Sequence, residues 1–74
     1  MSDWTRDQLE AFDHAIDLLT GVFLNEKASR IRLLGYRLVL QDLDPLQVLP
    51  ALRRMLETWD TMPSPHQIRE QIVS

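Results

Sequence analysis

"DTMPSPHQIREQI", residues 60–72, sets two prolines around a serine and then runs into a helical pattern. Pro63 restricts Met62 to extended backbone, so a helix arriving from the N-terminal side must end before it. Ser64 then stands as an N-cap and Pro65 at the first helical position, where its missing N–H is no loss. Gln67 sits where its amide can return a hydrogen bond to the cap. Ile68 and Ile72, four apart, share one face. A helix this short is marginal by itself, because isolated helices below about 12–15 residues rarely hold in water. It needs other helices to dock on, and the preceding sequence spells three.

The same grammar appears at "DLDPLQV", residues 42–48, with Asp44 as cap, Pro45 first, Gln47 completing a capping box, and Leu43 and Val48 at the hydrophobic staple positions. Leu49, Leu52, Leu56 and Trp59 then point inward, and Pro50 predicts a kink. The first helix, predicted over about Arg6–Leu24, starts at a Thr5/Gln8 box with Trp4 and Leu9 as its staple. Its stripe is Leu9, Phe12, Ile16, Leu19 and Phe23, and Asn25 is its stop. In the second helix Ala28, Ile31, Leu34, Gly35 and Leu38 form one apolar face, while Leu33, Tyr36 and Leu40 spill onto another, which predicts two neighbours. Gly35 costs about 1 kcal/mol against alanine in a helix interior, and close approach of another helix is the expected compensation. No segment alternates as a strand does. The expectation is an all-α single domain over residues 1–74, a bundle of four helices with the last one short.

A chain of 74 residues without cysteine has no disulfide and no thiolate metal site to staple it. With His14 and His66 as its only imidazoles, neither a structural metal nor a cofactor is expected. Glu10, His14 and Asp17 share a helical face but lack a second imidazole, and the acids of the first helix read as a solvated face. No set of titratable groups converges as general acid and base, so no enzyme activity is expected. The acidic, polar start "MSDWTRDQLE" lacks the pattern of a signal peptide, and no apolar run is long enough for a bilayer, so a cytoplasmic location is expected.

Charge distribution narrows the partners. The net charge of −3 argues for weak or no nucleic-acid binding. Lys27, Arg30, Arg32 and Arg37 nevertheless concentrate positive charge on the second helix. These cations either complement the acidic first helix or contact phosphates or a partner, with Lys27, Arg30 and Arg32 as the candidate contacts. Tyr36, Arg37 and Leu40 are the predicted partner-binding residues, because an aromatic and an arginine beside an apolar face have the composition of an interface centre. The partner is another protein or a second copy of the chain.

The tract Arg32 to Ile72, "RLLGYRLVLQDLDPLQVLPALRRMLETWDTMPSPHQIREQI", resembles the helical domain of phage replicative-helicase loader and inhibitor proteins. The likeness rests on Tyr36, Leu40, Asp42, Leu43, Val48, Ala51, Leu52, Pro63, Pro65, Ile68 and Arg69, and covers somewhat over half the chain. It implies a helical adaptor that binds a hexameric replicative helicase and helps deliver it to an origin-bound initiator. Members of that family carry a flexible C-terminal extension that takes part in helicase binding. The alternatives are a small helical nucleic-acid-binding protein and a structural oligomerisation module.

Overall fold

A computed structural model describes residues 3–73 and forms four helices: α1 (Arg6–Leu24), α2 (Arg30–Leu40), α3 (Pro45–Thr58) and α4 (Pro65–Val73). There is no strand among the described residues, and the fold is an all-α four-helix bundle. The helix starts follow local chemistry. The Gln8 N–H donates to Thr5 Oγ1 at 3.1 Å while the Thr5 N–H donates to Gln8 Oε1 at 2.9 Å, closing the box that opens α1. Ser64 and Gln67 close the same box before α4, at 2.8 and 3.2 Å. Asn25 ends α1 in the left-handed region, with φ 54° and ψ 42°, and its N–H donates to the Gly21 carbonyl.

Two starts differ from the reading of the sequence. Asp44 caps α3, but its carboxylate accepts from the Leu46 N–H at 2.9 Å, and the Gln47 N–H goes to the Asp44 backbone carbonyl. The carboxylate is satisfied one position earlier than a capping box requires, and no reciprocal Gln47 side-chain bond forms. Ser29 caps α2 by accepting from the Arg32 N–H at 3.1 Å. This start carries no capping-box signature, because arginine, which has no acceptor to return, stands where a box would place Glu or Gln. Pro50 lies inside α3, which continues through it to Thr58. Pro50 and the residue four before it, Leu46, are both exposed, so the interrupted turn faces away from the core.

Long-range bonds set how the helices assemble. The Trp4 indole donates to the Gln41 and Leu43 carbonyls, both at 3.1 Å, which brings the start of α1 to the start of α3. Its ring also meets Phe12 edge-on, with centroids 5.5 Å apart. α2 then runs back along α1: Arg37 pairs with Asp13, and the Ala28 N–H donates to Asp17 Oδ1. The last helix, α4, packs on α2 and α3 and fully buries Ile68. Arg69 ties it down, donating to the Val39 carbonyl and to both carboxylate oxygens of Asp42. That guanidinium holds the Asp42 carboxyl below the usual carboxylate range. Phe12, Ile16, Leu19, Tyr36, Leu40, Val48, Leu52, Met55 and Ile68 make the core, with Leu49, Leu56 and Trp59 half-buried beside it.

Candidate interaction surface

The core settles which face of α2 turns inward, and it is the very face expected to serve a partner. Tyr36 and Leu40 are buried, Leu40 completely. The Tyr36 hydroxyl donates to the Pro63 carbonyl at 2.6 Å, and burial pushes its pKa above the ordinary tyrosine value, partly offset by the charge of Arg32. Neither side chain is available to a partner, so the expectation for both is corrected. A helix closing a small bundle has room for one large apolar face against the core, and the long-range Tyr36–Pro63 bond selects this one. Arg37 stays half-exposed but is held by Asp13, its Nε 3.0 Å from Oδ1.

The opposite face is left outside. At about 100° per residue, Ile31, Leu34 and Leu38 fall on the side away from Tyr36 and Leu40. Their exposures are 83%, 47% and 70%. α2 does meet two neighbours, α1 and α4, as its two apolar faces predicted, but both lie on its inner side and the Ile31, Leu34 and Leu38 face is presented to solvent. Gly35 adjoins that outward stripe. A Cβ built there meets nothing within 4 Å among the described residues, and its φ is not positive, so no described helix approaches it and no turn requires it.

The basic residues divide into engaged and unengaged. Arg32 reaches Glu26 at 3.3 Å and Arg37 pairs with Asp13, which realises part of the expected charge complementarity between α2 and the acids around α1. Lys27 and Arg30 are exposed and have no acidic partner among the described residues. Beside Leu34 a depression of about 280 Å³ lies between Asp13, Arg30, Leu33 and Arg37. It sits where the apolar stripe meets the basic flank.

A second concavity, about 490 Å³, runs between α1 and α3 along Ala15, Leu18, Leu49 and Leu56, with His14 and Arg53 as its polar residues. Arg53 is exposed and turned to Glu57 at 3.4 Å. Glu10, His14 and Asp17 are exposed on α1, and no cluster of three potential metal ligands occurs among the described residues. No helix of the described residues is long and apolar enough to cross a membrane. The arrangement on α2 suits docking: an apolar strip, a small residue within it, and cations along one edge. These features define a small all-α domain with an outward apolar helix face. The chain matches no family model, no curated protein and no solved structure.

Proposed function

We propose that this chain is a protein-interaction module that docks its partner on the outward face of α2. The observation that carries this reading is the exposed stripe Ile31, Leu34 and Leu38, placed opposite the core face of the same helix. Contiguous apolar surface on a small domain marks an interaction site more often than an accident of packing. The resemblance of residues 32–72 to helicase loaders supports an adaptor role in replication, with a hexameric replicative helicase as the partner. Engagement of Arg32 and Arg37 by Glu26 and Asp13 supports a protein in preference to a phosphate backbone, since fewer cations remain free for phosphates.

The test uses the replicative helicase from the same source, purified, and titrates it with the wild-type chain and with Ile31→Ser and Leu38→Ser. Burying one aliphatic side chain is worth about 1.5–3 kcal/mol, so each substitution is expected to weaken binding by about tenfold or more. The thermal midpoint should stay near that of the wild type. Wild-type affinity in both variants would remove α2 from the interface. Tight DNA binding that falls steeply with salt and is lost in Lys27→Ala and Arg30→Ala would replace this reading with the nucleic-acid alternative.

A further inference from the structure

We infer that the element received by the α2 face is an amphipathic helix with acidic flanks, laid across Gly35. This rests on the reading of α2 as the docking surface and specifies the chemistry of what docks there. Charge complementarity carries the choice. No acidic residue occurs in α2; its outward stripe is edged by Arg30, and Lys27 stands in the segment just before the helix, neither with an acidic partner among the described residues. The depression beside Leu34 is lined by Asp13, Arg30, Leu33 and Arg37; Asp13 engages Arg37, so Arg30 is the cation left at its rim to meet a partner's carboxylate at the edge of the apolar contact. A hydrophobic stripe of three side chains spaced three and four apart is read by a helix with the same spacing.

Gly35 supplies an independent reason for a helix. Its lack of a side chain answers no contact and no unusual dihedral within the chain, although alanine would suit the helix better. A glycine on an exposed apolar face lets a second backbone come close, with the larger Leu34 and Leu38 gripping it from either side. A second copy of this chain is the poorer occupant. In an antiparallel pair of α2 helices related by a two-fold axis, each flank meets its own equivalent, so Arg30 and Arg37 of one copy face Arg30 and Arg37 of the other. Such like-charge contacts oppose association. An eleven-residue helix also offers little toward the roughly 800 Å² per partner that a stable dimer buries.

The experiment titrates the intact protein with three synthetic helical peptides of about 18 residues. The first carries leucines at i, i+3, i+4 and i+7 flanked by glutamates, the second has the same leucines flanked by lysines, and the third keeps the glutamates but replaces leucine with serine. Amide chemical shifts and fluorescence anisotropy are read at two salt concentrations. The glutamate–leucine peptide is expected to bind at least about tenfold more tightly than either control, to perturb Ile31, Leu34 and Leu38, and to weaken as salt rises. Lys27→Glu with Arg30→Glu should reverse the preference toward the lysine peptide. Gly35→Ala should raise the thermal midpoint by about 4–8 °C while weakening the glutamate–leucine peptide at least about fivefold, a combination that a purely structural glycine would not give. Equal binding of the two leucine peptides at α2 overturns the acidic-partner inference and leaves the docking reading intact. Shifts confined to Ala15, Leu18, Leu49 and Leu56 overturn both, and so does the absence of binding together with wild-type helicase affinity in Ile31→Ser and Leu38→Ser. A concentration-dependent dimer abolished by Leu34→Ser overturns the inference in favour of a second copy.

Discussion

Leu40→Ser is expected to unfold the domain, whereas Leu38→Ser, two residues earlier on the same helix, leaves it folded. Leu40 is completely buried at the end of α2, within the cluster that joins Phe12 and Ile16 to Leu52 and Ile68. Truncating a buried leucine to alanine costs about 2–5 kcal/mol through lost transfer energy and the cavity left behind. Serine adds a buried hydroxyl, which costs about 1–3 kcal/mol more where it finds no hydrogen-bond partner. A core of this size rarely supplies more than about 3–5 kcal/mol in total. The sum equals or exceeds what is available. Circular dichroism during heating should therefore show no cooperative transition for Leu40→Ser and a transition close to the wild type for Leu38→Ser, whose side chain is 70% exposed. A folded Leu40→Ser variant that had lost only its partner would return Leu40 to the interface.

Tyr36→Phe is expected to destabilise the protein by about 1–3 kcal/mol, far more than the loss of one exposed hydroxyl. The Tyr36 hydroxyl is the donor to the Pro63 carbonyl at 2.6 Å, in a buried setting, and phenylalanine leaves that carbonyl without it. At about 4–8 °C per kcal/mol for a domain of this length, the shift in midpoint is readily measured. Its location is specific too. Pro63 directly precedes the Ser64 cap, so amide protection should fall first across Gln67 to Ile72, ahead of α1 and α3. A pH series gives a second signature. Burial raises the Tyr36 pKa in the folded state, so the unfolded chain loses this proton first. The stability linked to it is fully present below the ordinary tyrosine value of about 10 and is lost as pH rises through the raised folded value. Denaturant midpoints measured from neutral to alkaline pH should show that loss in the wild type and a smaller one in Tyr36→Phe. Identical stabilities and identical alkaline slopes would show that the Tyr36–Pro63 bond contributes nothing.

The difference between Leu38 and Leu40 marks where reading the chain residue by residue stops. Thr5, Asp44 and Ser64 announce helix starts, and Asn25 announces an end, through bonds that span two to four residues. Such bonds depend on neighbours in the chain, so the number of helices, the all-α class and the limits of α1 are legible without any tertiary information. The Ser29 cap lacks that local signature because its N3 residue is an arginine. Periodicity also identified both apolar faces of α2. It could not rank them, because a helix with two apolar faces has the same spacing whichever one is buried. Choosing between them took contacts that sequence spacing does not encode: Tyr36 to Pro63 across 27 residues, Arg37 to Asp13 across 24, and Arg69 to Val39 across 30. By itself the sequence determined the four helices, the capping residues of α1, α3 and α4, and the presence of surplus apolar surface on α2. Only tertiary structure decided that Tyr36 and Leu40 belong to the core and that Ile31, Leu34 and Leu38 face outward, because burial is a property of what packs against a side chain and not of the side chain itself.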